Sequence, residues 1–372
     1  MKFYVEIYLD HNLGDDLFLD TLLQRYPEHE FYVGVPEHIT HLNLHFKRYS
    51  NLSAIKPINL KNAFRLVSFD AHILIGGSVY MDLNKGFHKL WLSRLLKSFI
   101  CFVTGKPFFV LGANLGPFNT KIGKFLLWMH FNLINHISVR DLHSFNILKK
   151  WKKLGSFDVL PDIVFSHNDE FAKRKQENNT LGISVINTKR HPHVQGVYVE
   201  KMCELICQYL IKYQSGKVLI MGFDGGLEND GDVIEKILAD DRVKIALEDG
   251  TIEAINYTPN VDMFDYLNKF QQCNAVICSR FHAMILAMKY EQNYFPICYS
   301  EKMENVLLDM KSNVSGIKYE NISTFNVNEV LELLFADGTS LFDKTKIHTA
   351  KEHFNCIDEL IASKDKSCQK SL

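Results

Sequence analysis

The sequence Asn-Ala-Val-Ile-Cys-Ser-Arg-Phe-His-Ala occupies residues 274–283. Its first half is apolar and predicts a short buried strand, and the apolar run of residues 283–289 predicts a helix. A helix N-terminus offers free backbone N–H groups, Arg280 adds a forked donor for phosphate or carboxylate, and His282 titrates near neutral pH. This turn indicates a site for a small reactive anion, although it fits equally an arginine at a sheet edge beside a core histidine.

Short apolar runs alternate with longer amphipathic stretches on both sides of this turn. Such alternation indicates parallel sheets covered by helices. We predict strands at residues 3–9, 30–34, 71–75, 107–111 and 136–139 in the first half, and at 181–186, 217–221, 274–278 and 294–298 in the second. They define two Rossmann-like domains, 1–165 and 180–345, joined by the polar segment 166–180 and followed by a C-terminal helix and frayed tail at 346–372.

The composition limits the partners and the compartment. The 372 residues carry 42 Lys and Arg against 43 Asp and Glu, so a net charge of −1 gives no electrostatic reason to expect nucleic acid. The N-terminus enters a strand without the regions of a signal peptide, and the eight cysteines form no Cys-x-x-Cys pair, which favours reduced thiols in the cytoplasm. The longest apolar tract, residues 125–134, is too short to span a bilayer and fits a helix buried against a sheet better than one on a membrane surface.

Ligands of open α/β sheets bind beyond the carboxyl ends of the strands. After the first predicted strand, Gly14 permits close backbone approach, and Asp15 is either the N-cap of the next helix or a base for a sugar hydroxyl. Gly76 and Gly77 form a second such turn. Residues 112–117 follow another strand but lack the Gly-x-Gly-x-x-Gly spacing and an acidic ribose ligand, so no nicotinamide cofactor is expected.

Arg140 and Asp141 lie where a further strand becomes a helix. Arg140 is either half of a structural ion pair or a ligand for an anion, and Asp141 is placed to cap the helix. Asp162 follows the apolar run of residues 157–160 and either orients Arg140 or ends a turn.

The sequence offers no convincing metal site. Asp224 follows a strand and is placed to touch a ligand, but the acidic segment 228–232 beyond it lacks the ligand spacing of a calcium loop. His191 and His193 have no third ligand at metal spacing. We therefore expect no metal.

Taken together and in order, these residues resemble the polysaccharide pyruvyl transferase family. The matching elements are Asn12-x-Gly14-Asp15, Gly76-Gly77, Gly116-Pro117, Val139-Arg140-Asp141 with Ser144, Pro161-Asp162, Ser279-Arg280-x-His282-Ala283 and Tyr299-x-x-Lys302. The resemblance spans about residues 1–310. The chain departs from the family at Phe281, where Leu is usual, at Ser78, where a third Gly is common, and at residues 113–115.

The resemblance implies two domains that face a cleft in a glycosyltransferase-B-type fold. It also implies transfer of pyruvate from phosphoenolpyruvate to sugar hydroxyls as a cyclic ketal, with no cofactor besides this co-substrate. The implied acceptor is a surface polysaccharide or its lipid-linked precursor. A cytoplasmic enzyme at the inner face of the membrane would meet such a precursor, and residues 125–134 would help it to dock there.

The resemblance also assigns roles to residues. His282 would be the proton donor, Asp15 the base for the acceptor hydroxyl, and Arg280 with the helix beginning at Phe281 the ligand of one donor anion. Lys302 or Arg140 would hold the other anion. The remaining implied substrate-binding residues are Asn12, Gly14, Gly76, Gly77, Gly116 and Ser279.

Two other functions fit the same residues. In a nucleotide-sugar-dependent glycosyltransferase of this fold, Arg280 would hold a diphosphate and Asp15 would still be the base. A sugar-binding protein without enzymatic activity would leave Arg280 and His282 without a role. Stabilisation by a nucleoside diphosphate rather than by phosphoenolpyruvate distinguishes the glycosyltransferase from the pyruvyl transferase.

Overall fold

The computed structural model describes residues 1–39, 41–82, 88–169, 179–188, 192–226, 228–336 and 340–369. The elements of the first half are β1 (Lys2–Glu6), α1 (Leu13–Arg25), β2 (Glu30–Gly34), β3 (Leu52–Ile55), β4 (Ala71–Ile75), β5 (Tyr80–Asp82), α2 (His88–Val103), β6 (Phe108–Ala113), β7 (Leu115–Phe118), α3 (Lys121–Leu133), β8 (His136–Val139), α4 (Leu142–Trp151) and β9 (Ser156–Val159). Short 3₁₀ helices lie at Leu44–Arg48, Ala63–Ser68 and Ile163–Ser166.

The second half repeats this alternation. Its elements are β10 (Thr180–Val185), α5 (Pro192–Lys212), β11 (Lys217–Gly222), α6 (Gly231–Leu238), α7 (Asp241–Glu248), β12 (Ile252–Asn256), α8 (Met263–Gln271), β13 (Ala275–Cys278), α9 (Phe281–Lys289), β14 (Asn293–Cys298), α10 (Glu301–Asp309), β15 (Ile317–Lys318), α11 (Val327–Phe335) and α12 (Asn355–Gln369). Further 3₁₀ helices lie at Tyr319–Thr324 and Lys344–Phe354.

Two parallel sheets form the centres of two α/β domains. The first sheet has the strand order β3-β2-β1-β4-β6-β8-β9, and the second has the order β12-β11-β10-β13-β14-β15. In each sheet the chain starts in the middle, runs to one edge and then crosses to the other side. The crevice of such a sheet lies at this switch point, next to β1 and β4 in the first domain and β10 and β13 in the second. The predicted two-domain α/β fold is confirmed.

The predicted strands all occur, within two or three residues of their observed ends, whereas several short strands went unpredicted. Among the latter, β3 and β12 lie at sheet edges, and their side chains are mostly exposed or half-buried. An edge strand that buries few side chains carries a weak apolar pattern. The buried centre of each sheet is therefore easy to predict and its edges are not.

The C-terminal segment returns to the first domain. Asp358 of α12 accepts hydrogen bonds from Arg25 at 2.6 Å and from the Tyr26 hydroxyl at 2.7 Å. The imidazole of His353 is bonded to the Ser138 hydroxyl and donates to the Pro161 carbonyl. The boundary predicted at 166–180 stays a prediction, because residues 170–178 lie outside the described residues, as do residues 370–372 of the predicted frayed tail.

A buried polar network also joins the two domains. The Asp20 carboxylate of α1 is bonded to the His45 imidazole, the Tyr49 hydroxyl and the His167 imidazole, each at 2.6 Å. The other ring nitrogen of His167 is bonded to Asp169, which is paired with Lys289 of α9 at 2.8 Å. Charged groups buried in this way are tolerated only when each has partners.

The pKa shifts in this network give its pH dependence. Burial alone would raise the pKa of Asp20, but the hydrogen bonds from His167 and His45 lower it below its usual value. Burial alone would lower the pKa of His167, but its bonds to Asp169 and Asp20 raise it. The contribution of Asp20 to stability against unfolding is lost as the pH falls below about 4, the ordinary pKa of an Asp side chain. The contribution of His167 is lost as the pH rises above about 6.5, the ordinary pKa of a His side chain.

We expect Asp20→Asn to destabilise the protein most strongly between about pH 4 and 6.5. Removing one partner from a buried ionic network typically costs about 3–5 kcal/mol. Urea unfolding at pH 5.5 and at pH 9 measures the loss, which should be smaller at pH 9 because His167 is less protonated there than at pH 5.5. Asp241→Asn is the control, since the Asp241 side chain is 95% exposed and solvent screens its pair with Lys244. Equal losses for the two variants would contradict this account.

Candidate active site

A cleft lies between the carboxyl ends of the two sheets. Its volume is about 1690 Å³. Ordinary ligand pockets occupy about 300–1,000 Å³, so this cleft has room for a small donor together with a sugar acceptor. Its polar lining comes from both domains: Tyr8, Asn12, Asp15, Asn114 and Arg140 from the first, and Thr188, Asp224, Glu228, Arg280, His282 and Lys302 from the second.

The turn at residues 279–282 forms one wall of the cleft. It connects β13 to α9, as predicted, and Arg280 is the N-cap residue with an extended backbone. The Arg280 side chain makes no capping hydrogen bond to this end of α9. The free N–H groups of its first turn therefore carry the positive end of the helix dipole. Such an end attracts an anion into the cleft.

The Phe281 ring brings two cations together. The Arg140 guanidinium lies 4.5 Å from the ring centre, and the Lys302 ammonium lies 5.2 Å from it. Phe281 itself is 2% exposed. Within the described part of the chain, Lys302 has neither a hydrogen bond nor an ion pair, and its other cation–π contact is with Tyr299. Its charge is therefore free to bind an anion.

Arg140 is held rigidly at the end of β8. It is paired with Asp162, and its Nε donates to Asn114 at 2.9 Å. Gly77 leaves the space that the guanidinium fills, because a Cβ at Gly77 would overlap it. Asp162 therefore orients Arg140, and Asp141 caps α4 through the Ser144 N–H. Both were among the alternatives that the sequence left open.

Asp15 reaches the cleft from the first domain. Its expected place at or near the helix N-cap needs correction, because Asn12 caps α1 and Asp15 lies within the first turn. Burial raises the pKa of Asp15 to about 7, although Arg140 and Lys302 pull it down. Its carboxyl group accepts no hydrogen bond within the described part of the chain. It therefore changes its charge close to neutral pH.

His282 lines the same cleft from the second domain. Burial is the main cause that lowers its pKa to about 3; Asp162 raises the pKa in part, and the cations Arg140, Lys302 and Arg280 each lower it by less. Its Nε2 atom is buried and has no hydrogen-bond partner in the described structure. The imidazole is thus neutral in the free protein. A bound anion beside it would raise its pKa.

Arg280 is engaged by acidic side chains. It donates to Asp230 from two nitrogens and to Glu228 from a third, at 2.5–2.9 Å. These contacts raise its pKa further above the ordinary value despite burial. Asp230 also accepts from the backbone N–H groups of Phe223 and Asp224. The pair thus fixes the loop after β11, and the predicted binding of an anion by Arg280 stays a prediction.

Some predicted ligand residues support the cleft from behind. Ser279 is fully buried, and its hydroxyl accepts from Tyr198 at 2.8 Å. Gly14 packs against the His282 ring, and Gly76 adopts a φ of +134°, which favours glycine. These three do not line the cleft, whereas Gly77, Gly116 and Asn12 do.

The sequence missed the partners that orient the predicted residues. Asn114, which holds Arg140, follows β6 directly, so its place at a strand end was the signal that marked it. Asp230 lies in the acidic segment that was considered only as a calcium loop. Nothing in the sequence pairs it with Arg280, fifty residues away.

The described residues contain no group of three or more His, Cys, Asp or Glu side chains arranged to hold a metal ion. Of the two histidines considered above, His191 lies outside them. No helix among the described residues has the length and apolar character needed to cross a membrane. Seven cysteines are described as free thiols, and Cys101, Cys203, Cys273, Cys278 and Cys298 are buried.

The two facing domains and the cleft between them define a glycosyltransferase-B-type fold. Residues 12–294 match the family model for polysaccharide pyruvyl transferase, which is more than half of the chain. The chain belongs to the polysaccharide pyruvyl transferase family. A comparison with curated protein sequences found no significant match.

Solved structures confirm the fold at low sequence identity. The UDP-GlcNAc 2-epimerase of Neisseria meningitidis bound to UDP-GlcNAc is 10% identical with a TM-score of 0.62, covering 97% of this chain and 100% of its own. The Methanocaldococcus jannaschii enzyme in complex with UDP-GlcNAc and UDP is 10% identical with a TM-score of 0.61 and the same coverage. The S. aureus MnaA–UDP structure is 12% identical with a TM-score of 0.55, covering 91% of this chain and 89% of its own.

We expect Gly14→Ala to displace His282. A Cβ at Gly14 would overlap the imidazole ring, so the variant should lose about 1–3 kcal/mol of stability although alanine favours a helix. The double variant with His282→Ala should recover most of this loss in thermal or urea unfolding. Gly196→Ala in α5 is the matched control, because open space surrounds Gly196 and the change should be neutral or stabilising. If the loss of stability persisted in the double variant, contact between the new methyl group and the His282 ring would not be its cause.

Proposed function

We propose that this protein transfers pyruvate from phosphoenolpyruvate to a sugar of a bacterial surface polysaccharide or of its lipid-linked precursor. The product is a cyclic ketal, and phosphate is released. The observation that carries the proposal is that one cleft contains two cations and two groups with shifted pKa values. The cations are Arg140 and Lys302. The shifted groups are His282, which is neutral, and Asp15, whose pKa is about 7. Membership of the polysaccharide pyruvyl transferase family supports it.

The donor has two anionic groups, a phosphate and a carboxylate, and the cleft presents donors for both. Lys302 carries a charge without a partner in the described structure, and the Arg140 guanidinium, which is also paired with Asp162, lies 4.5 Å from the centre of the same Phe281 ring. The N-terminus of α9 adds backbone N–H groups. We assign the two anions to these groups, and we assign to Arg280 the positioning of the loop after β11. No cofactor enters this scheme.

Proton transfer follows from the two shifted groups. A bound dianion raises the pKa of His282, which then protonates the methylene carbon of the donor. One sugar hydroxyl attacks the resulting oxocarbenium-like carbon and gives its proton to Asp15. A second hydroxyl closes the ring as the bond from that carbon to the phosphate oxygen breaks, and its proton leaves on the phosphate. Atoms and charges balance without a redox partner.

The proposal places the enzyme in the cytoplasm, where a lipid-linked acceptor is exposed at the inner face of the membrane. Glycosyl transfer from a nucleotide sugar is the alternative, because similar solved structures are complexes with UDP-GlcNAc and UDP. That likeness concerns the fold alone. The choice of donor decides between the two functions.

We expect phosphoenolpyruvate to stabilise the purified protein against heat. A ligand at 100 times its dissociation constant adds about 2.7 kcal/mol. The shift should disappear in Lys302→Met and persist in Lys311→Met, because the Lys311 side chain is 76% exposed and does not line the cleft. Release of phosphate with a diol sugar acceptor then tests turnover, and near-normal turnover of His282→Gln would refute its role as acid. A shift with UDP, GDP or CMP and none with phosphoenolpyruvate would favour glycosyl transfer.

The pH profile tests the base. Because Asp15 acts when it is deprotonated, kcat, which reports the donor complex in which His282 is protonated, should rise with pH as Asp15 loses its proton. Asp15→Asn should lower kcat/KM by about 10²–10⁴-fold and remove this rise. Asp16→Asn is the matched control, since burial also raises the pKa of Asp16, to about 8, but its carboxylate is bonded to Tyr257. If Asp16→Asn removed the rise and Asp15→Asn kept it, Asp15 would not be the base.

A further inference from the structure

The first domain exposes an apolar surface that the proposed chemistry does not use. We call it the α2–α3 face and define it by six exposed side chains: Phe64, Phe99, Phe102, Ile122, Phe125 and Trp128. Helix α2 packs against both α3 and the 3₁₀ helix Ala63–Ser68. The opposite sides of α2 and α3 are buried in the core of the domain. The six side chains therefore point outward from neighbouring elements.

A large fraction of each of these apolar side chains is exposed to solvent. Phe64 is 78% exposed, Phe125 57% and Trp128 42%. The rings of Phe125 and Trp128 are stacked with their centres 6.1 Å apart. An apolar patch spread over three neighbouring elements marks a surface that binds a partner. The prediction that residues 125–134 form a helix buried against a sheet is thus correct for only one side of α3.

The charge of this region identifies the partner. The sequence has no Asp or Glu between Asp82 and Asp141, whereas it has eight Lys and Arg residues in that interval, of which Arg94, Lys97 and Arg140 are buried. Lys89, Lys121 and Lys124 are exposed beside the apolar side chains. The chain as a whole has a net charge of −1, so this positive charge is local. Apolar rings surrounded by lysines complement the anionic headgroups and acyl boundary of a bilayer.

A second copy of the chain fits the same face poorly. A twofold dimer places a patch against itself, so the lysines of both copies would meet without acidic partners from α2 or α3. An anionic lipid surface supplies the missing negative charge. We propose that the α2–α3 face binds the surface of an anionic bilayer, with Phe125 and Trp128 inserted at the headgroup level.

The face is continuous with the cleft. Leu90 of α2 and Lys124 of α3 line the cleft and also border this face. A protein bound to a bilayer through this face has its cleft opening beside the lipid headgroups. A sugar carried on a lipid then reaches Asp15 and His282 without leaving the membrane surface. This use of the face rests on the proposed function, whereas lipid binding itself rests on the exposed side chains and charge alone.

Sedimentation with vesicles tests the proposal. We expect the full-length protein to bind vesicles of phosphatidylglycerol and phosphatidylcholine and to bind vesicles of pure phosphatidylcholine at least about tenfold more weakly, since the lysines contribute to binding. Raising the salt concentration should weaken binding to the anionic vesicles. Trp128 should also shift its fluorescence to shorter wavelength on binding, and Trp128→Phe should bind with a much smaller shift. Absence of binding to anionic vesicles would overturn the proposal.

Matched variants distinguish vesicle binding through this face from nonspecific binding of the protein to vesicles. Phe125→Glu and Lys121→Glu should each reduce vesicle binding by about tenfold or more, and Ile245→Glu should not, because Ile245 is 73% exposed on the second domain. Melting curves of all three verify folding. Equal vesicle binding by Phe125→Glu and by the unchanged protein would overturn the proposal. A dimer of the unchanged protein that Phe125→Glu and Lys121→Glu dissociate, and Ile245→Glu does not, would also overturn it. Phe125→Glu should turn over a soluble sugar acceptor as fast as the unchanged protein. Vesicle binding therefore tests the lipid-binding proposal, and turnover of the soluble acceptor tests the pyruvyl transfer proposal separately.

Discussion

The site depends on one backbone contact between the two domains. The Leu13 N–H donates to the Phe223 carbonyl at 3.0 Å, and the Gly225 N–H donates to the His11 carbonyl at 3.1 Å. The side chain of Asn12 adds a bond to Asp224 at 3.1 Å. These bonds fix the N-terminus of α1 against the second domain. Because Asn12 also caps α1, the same residue sets the direction of the helix that carries Asp15.

This contact explains why the site needs glycine at two places. Once α1 is fixed, Gly14 lies against the His282 ring and Gly77 lies against the Arg140 guanidinium, and a Cβ at either place would collide. Close packing of this kind brings titratable groups from both domains into a partly dehydrated cleft. Burial then raises the pKa of Asp15 and lowers the pKa of His282, so both groups are mostly neutral at moderately acidic pH in the free protein. Substrate charge would reverse this balance for His282.

Much of the fold follows from the sequence because buried central strands carry strong apolar patterns. The ends of β1, β4, β8 and β13 could be located from these patterns, and with them Asp15, Gly77, Arg140 and Arg280. Pairings over long sequence distances could not be predicted. Neither the pairing of Arg280 with Asp230 nor the return of α12 onto the first domain has a local signal, because each depends on how the domains and the C-terminal segment pack. The exposed side of α3 was hidden for a related reason: an apolar run predicts a helix but not which neighbours will cover it.

Phe281 gives the arrangement of cations its physical basis. Arg140 and Lys302 carry like charges, which repel each other strongly in a cleft wall with little water. The negative face of an aromatic ring attracts a cation by about 0.5–2 kcal/mol, so a ring shared by both offsets part of this repulsion. The leucine that is usual here in the family has no such quadrupole. In this chain Asp162 also offsets the charge of Arg140, whereas Lys302 has no ion pair within the described residues, so Lys302 depends on the ring more than Arg140 does.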